Sequence, residues 1–140
     1  MADHETIRAA LAASLGVLKG VQAHPYVLGD PTPPTIYVFP GDTEYDKAAA
    51  RGLDRVEYTV RALSGAVGDI AAQRTLDKFL ANSGPSSVKA ALEKDRTLGG
   101  VVQTLRVTRH TGYRALANPA KPTPYLTVEW TVEMHVAGNE

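Results

Sequence analysis

The chain has 140 residues, 15 Lys+Arg against 15 Asp+Glu, 44% hydrophobic residues and no cysteine. That length and composition describe one domain with enough apolar material for a core, and they exclude disulfide scaffolds, thiolate metal sites and cysteine nucleophiles. Balanced charge argues against a protein that binds nucleic acid by counterion release, and the absence of cysteine favours an origin in a reducing compartment.

Ile7, Leu11, Leu15 and Leu18, with Ala10 between them, recur at helical spacing, so residues 3–18 are expected to form an amphipathic helix capped by Asp3 or Thr6. The uncharged stretch 9–18 is too short for a membrane span. Asp3 and Glu5 stand where a signal peptide carries its basic residues, so no export signal is expected. Between Gly20 and Gly41 five prolines fix φ and remove donors, which leaves Ile36-Tyr37-Val38-Phe39 as a short strand, expected at a sheet edge. Residues 42–51 lack an apolar face and read as an exposed loop. Residues 55–63 alternate, with Val56, Tyr58, Val60 and Ala62 on one side and Arg55, Glu57, Thr59 and Arg61 on the other. That is a half-buried strand.

After Gly65 and Gly68 the period changes to that of a helix, capped by Asp69, carrying Ala72, Leu76, Phe79 and Leu80, and ending near Ala81. Pro85 is placed to open a second helix with Val88, Ala91 and Leu92 on its face, closed by Gly99-Gly100. Residues 101–113 and 125–136 then read as the arms of a long hairpin joined through the proline-rich segment 118–124. The second arm puts Leu126, Val128, Trp130, Val132, Met134 and Val136 on one face. Symmetric pairing would set Leu105 near Trp130, Val107 near Val128 and Arg106 near Glu129. The element order α-β-β-α-α-β-β predicts an α+β domain, a mostly antiparallel sheet of about four strands with helices on one face.

Chemistry-bearing patterns are few. His4, His24, His110 and His135 show no metal-ligand spacing. Asp42, Glu44 and Asp46 alternate like a calcium loop, but Lys47 occupies the glycine position and Leu53 the closing carboxylate position. Ser14, Ser64, Ser83, Ser86 and Ser87 lie in no nucleophile elbow, and no phosphate-binding glycine motif occurs. Residues 83–87 offer amides to an anion at a helix start, yet they read more simply as a capped helix-to-helix turn, and Trp130 reads as core. The expectation is therefore no catalysis, no metal and no cofactor.

Three segments, Tyr58-Thr59-Val60-Arg61-Ala62-Leu63, Ala72-Gln73-Arg74-Thr75-Leu76-Asp77-Lys78-Phe79-Leu80 and Ser83-Gly84-Pro85-Ser86-Ser87-Val88-Lys89-Ala90-Ala91-Leu92-Glu93, resemble tail terminator proteins of long-tailed phages infecting actinobacteria. The likeness continues through Asp95-Arg96-Thr97-Leu98-Gly99-Gly100, Leu105-Arg106-Val107 and Thr131-Val132-Glu133-Met134, and the opening helix, proline-rich stretch and short strand fit as well. The resemblance implies a structural virion protein at the head-proximal end of the tail. It would form a homohexameric ring that caps the tube, stops its polymerisation and joins the head. The implied partners are further copies of itself, the major tail tube protein and a head-tail connector protein, with DNA passing through the lumen, no sequence-specific nucleic-acid recognition and no membrane. A head-side connector or neck protein, and a small cytoplasmic ligand-binding domain, are the alternatives. Candidate interface residues are Asp42, Glu44, Asp46, Lys47 and Arg51 in the charged loop, Lys121 in the proline-rich connection, and Arg55, Glu57, Arg61, Arg106, Glu129 and Glu133 on the sheet face opposite the core. Both long connections, 42–51 and 118–124, are expected to be contact elements that become ordered on assembly.

Overall fold

The computed structural model describes residues 3–27, 34–45, 53–66, 68–117 and 123–137. Helix α1 (His4–Leu15) starts where the Asp3 carboxylate accepts the Thr6 N–H at 2.9 Å, and it buries Ile7, Leu11 and Leu15. Leu18, expected as the end of the helix, is buried from the turn that follows it. Strands β1 (Gln22–His24) and β2 (Thr35–Glu44) run parallel, and β3 (Leu53–Ala66) pairs antiparallel with β2. Helices α2 (Ile70–Leu80) and α3 (Val88–Glu93) come next, then β4 (Thr104–His110), β5 (Arg114–Leu116) and β6 (Tyr125–Ala137). The sheet order is β1-β2-β3-β6-β4, with β5 beside β4 on the same flank of β6. This is an α+β fold: a mixed six-stranded sheet, mostly antiparallel, with three helices packed against it.

One continuous core joins the helices to one sheet face. Leu11 of α1, Leu76 of α2 and Leu92 of α3 meet Ile36 and Val38 of β2, Val56, Tyr58 and Val60 of β3, and Val128, Trp130, Val132 and Met134 of β6. The helix starts follow capping rules: Asp69 accepts the Ala71 N–H at 2.9 Å, and Ser87 accepts the Ala90 N–H at 3.0 Å. Ser87, not Pro85, therefore opens α3. The end of β3 must pass close to α2, and Gly65 permits it: its φ is +130°, and a Cβ there would lie 3.3 Å from that of Ala72.

Several expectations are corrected. Residues 42–44 are not loop but the end of β2, beyond a bulge between Pro40 and Thr43. The strand at 36–39 is not simply an edge, because β1 covers residues 35–37, and among the described residues it is the far half of β2 that has β3 as its one neighbour. β1 itself gave no alternation in three residues. The first hairpin arm is interrupted, with one extra residue at Thr108 and a break at 111–113 that separates β5 from β4. Leu105 accordingly faces Met134, Val107 faces Val132 and Arg106 faces Glu133, four residues along β6 from the symmetric expectation. A slip by an even number keeps every side chain on its own face, so the apolar pattern alone does not distinguish the two registers.

Candidate functional site

The three helices cover one face of the sheet, and the other carries the candidate residues. Along β3 the outward positions are Arg55, Glu57, Thr59, Arg61 and Leu63, and along β6 they face His135, Glu133, Thr131, Glu129 and Thr127 respectively. Glu57 and Glu133 are directly opposite, a like-charge pair that would be unfavourable alone. Arg55 resolves it. Its guanidinium lies 2.8 Å from Glu57 and 2.9 Å from Glu133, with Glu44 at the end of β2 3.7 Å away. The bond to Glu133 is the main reason Arg55 holds its proton more tightly than a free arginine, outweighing partial burial.

Four residues beyond Glu57, Arg61 donates from Nε to Glu129 at 2.7 Å and from Nη1 to the Tyr37 hydroxyl at 3.1 Å. Its guanidinium carbon also sits 4.9 Å from the centre of the Phe39 ring. Burial works against the charge of Arg61, but the bonds to Tyr37 and Glu129 overcome it and raise its pKa. Beyond Arg61 the same face turns apolar, with Tyr37, Leu63 and Tyr125 buried and Phe39 and Leu116 packed against them. This second cluster was not expected. Its signal was the alternation Thr35, Tyr37, Phe39, which the prolines on either side of it obscured.

The expected interface residues divide into three groups. Arg55, Glu57, Glu133 and Glu44 come together, as do Arg61 and Glu129. Arg106 reaches the same face, but its side chain has no ion pair among the described residues, and Asp42 is exposed near the β2 bulge. Asp46, Lys47, Arg51 and Lys121 lie outside the described residues, as does most of each long connection. Arg109 and Arg114 occupy outward register positions beside Arg106 and were missed, Arg109 because the bulge at Thr108 changes which residues face outward and Arg114 because it lies beyond the expected arm 101–113.

The histidines stay apart. His4 meets the Tyr58 hydroxyl, His24 contacts Gln22 at 3.3 Å, His110 the Thr111 carbonyl at 2.8 Å, and His135 lies 3.9 Å from Glu133. Among the described residues no group of three or more His, Cys, Asp or Glu side chains is arranged to hold a metal ion. The carboxylates around Arg55 are gathered on a guanidinium. An open groove of about 580 Å³ lies between Val17 and the segment 84–96, lined by Pro85, Ala90 and Arg96. The carboxylate on its wall, Glu93, is engaged with Lys89 and accepts the Val107 N–H at 2.9 Å.

The arrangement defines the protein as an α+β domain whose sheet face opposite the three helices is organised by half-buried ion pairs and one arginine-aromatic stack. No protein-family model matches the chain, and no curated protein matches it.

Proposed function

We propose that the protein is a tail terminator of a long-tailed phage, a virion structural protein that closes into a ring on the tail tube and ends its growth. Two things support this reading. The segments that resemble such proteins fall on β3, α2, the capped turn into α3, the turn at 95–100, β4 and β6, which are the parts that set this fold. The observation that carries it furthest is the outer sheet face, where Arg55 and Arg61 are held at fixed positions by Glu57, Glu133 and Glu129. Fixed charges of both signs suit register-specific contact between subunits, and closing a heterologous contact into a ring stops further addition.

Electron microscopy of the purified protein, alone and with tail tubes, tests the proposal. Rings seated on tube ends, with tubes of constant length, are the expected result. Rings found only on heads would move the protein to the head-side neck. A monomer at tens of micromolar that binds a small ligand saturably would replace the reading with a ligand-binding domain.

A further inference from the structure

A second cavity, of about 230 Å³, lies where the end of α2 and the start of α3 meet the bulge of β4. Leu80, Val107 and Trp130 form its apolar wall, with Lys89, Arg109 and His110 around them. Four successive residues of β4, Val107 to His110, line it. An unbroken strand turns alternate residues to opposite faces, and the extra residue at Thr108 is what gathers these four on one cavity, Arg109 included although its register partner Thr131 faces outward. Trp130 shows what the cavity lacks. The residue is 2% exposed, and its indole Nε1–H is a donor only. It has no hydrogen-bond partner among the described residues, yet no buried side-chain nitrogen or oxygen there is left unpartnered. Both hold only if the N–H is open to solvent, and the cavity that Trp130 lines is the opening.

The other polar groups call for the same kind of partner. Arg109 makes no hydrogen bond or ion pair among the described residues. Lys89 is bonded to Glu93, but an ammonium has three protons to donate, and Glu93 is not on the wall. Among the described residues no Asp or Glu lines the cavity, while the Asn82 amide does. Donors and cations therefore converge beside an apolar wall. The volume sets the size: at roughly 30 Å³ for each water it holds about eight non-hydrogen atoms, and it is smaller than the roughly 300–1,000 Å³ of pockets that take cofactors or drug-sized ligands. An inorganic anion would leave Leu80, Val107 and the indole ring without contact.

We infer that this cavity binds a small monocarboxylate with a flat apolar body, of about the size of benzoate. The carboxylate accepts from the Trp130 Nε1–H and from the Arg109 guanidinium, and the apolar body packs on Leu80 and Val107. Binding satisfies a donor that the fold leaves open and removes apolar surface from water in the same step. The site does not rest on the tail-terminator reading, because every group that forms it belongs to one subunit.

Trp130 is the single tryptophan, so the full-length protein reports on the site without a label. Its emission, excited beyond the tyrosine band, and its indole proton–nitrogen cross-peak are followed as sodium benzoate is added at constant ionic strength. A saturable change with a dissociation constant in the millimolar range or below is expected, the cross-peak moving downfield as the N–H gains an acceptor. Benzamide keeps the ring without the charge, and acetate keeps the charge without the ring. Each should bind about tenfold more weakly than benzoate, the first for want of a charged hydrogen bond and the second for want of apolar contact. Arg109→Gln should weaken benzoate by a similar factor and leave the melting temperature unchanged, since the arginine has no bond to lose among the described residues. No saturable change with benzoate, equal binding of benzamide, or undiminished affinity in folded Arg109→Gln would overturn the inference. So would inorganic phosphate that displaces benzoate at equal concentration. If Arg109→Gln fails to fold, the comparison of benzoate, benzamide and acetate on the parent decides. A protein that binds benzoate yet ignores tube ends would sink the tail-terminator reading and leave this site standing; rings on tube ends that show no response to benzoate would do the reverse.

Discussion

Replacing Glu93 by glutamine isolates what a single carboxylate does at the junction of helix and sheet. Glu93 closes α3, its side chain is 10% exposed, and it binds Lys89 and the Val107 N–H, with Arg96 3.5 Å away. Burial alone would raise its pKa; the Lys89 bond, the Val107 amide and the charges of Lys89 and Arg96 outweigh that and hold the carboxyl below its ordinary value. Glutamine keeps the shape and can still accept from Val107, but the Val107 bond becomes a neutral one and the Lys89 ammonium faces an uncharged oxygen. A hydrogen bond to a charged group contributes about 1.5–3 kcal/mol and a neutral one about 1, so the expected loss at pH 7 is about 1–2 kcal/mol. A depressed carboxylate stabilises the fold above its unfolded pKa near 4.3, and that contribution disappears as pH falls through the lower folded value. Urea unfolding of parent and variant at pH 7, 5 and 3 should therefore show two curves that differ at pH 7 and 5 and converge toward pH 3. Equal stability at pH 7, or a deficit that persists undiminished at pH 3, would refute the electrostatic argument. Glu93→Ala should cost more, about 2–3 kcal/mol, because it leaves the Val107 N–H without its acceptor.

Arg61→Lys retains the charge but cannot bond Glu129 and Tyr37 while lying over Phe39, so a loss of about 1 kcal/mol in chemical denaturation is expected, with no further loss when Tyr37→Phe is added. Tyr58 is buried beneath the start of α1, and burial pushes its pKa up to about 12. The unfolded chain then ionises first, so stability should fall between about pH 10 and 12, and unfolding followed across that range should show a shallower fall for Tyr58→Phe. Gly99 has φ +70° with open space around its Cα, so Gly99→Ala should lose about 1 kcal/mol through backbone strain alone, seen as a lower melting temperature with unchanged oligomer mass.

Alternation made β3 and β6 legible down to the facing of each side chain, and Asp3 and Asp69 marked their helices correctly, because both signals depend only on local geometry. What escaped is non-local. β1 is held by parallel pairing to β2 across a segment of several prolines, and nothing in Gln22, Ala23 and His24 announces a strand. The split of the last hairpin depends on single residues inserted at Thr108 and within 111–113, and a bulge has no fixed residue signature. The candidate site was half legible for the same reason. Arg55, Glu57, Arg61, Glu129 and Glu133 were placed on one face, but which of them would meet, and that Arg109 and Arg114 would join Arg106, followed from register. Tyr37, Leu63 and Tyr125 come from three strands and form a cluster only once those strands are adjacent.

The position of β6 bears on how the chain acquires its shape. It is the last described strand in sequence, and it lies between β3 on one side and β4 and β5 on the other. Until residues 125–137 have been made, Val56, Tyr58 and Val60 have β2 beside them and a vacant place where Val128, Trp130, Val132 and Met134 belong. On a ribosome adding about 5–20 residues per second, roughly 4–14 s separate the synthesis of residue 66 from that of residue 137. Through that interval the β2–β3 hairpin presents an open, apolar long edge, the condition in which nascent chains pair with one another or recruit chaperones. Pairing that spans so much sequence also slows the final step, since the intervening chain must be closed before the contacts form. Truncation before β6 would remove the middle of the sheet, leaving the β1-β2-β3 ladder on one side and, on the other, β4 and β5 without the strand that each pairs with.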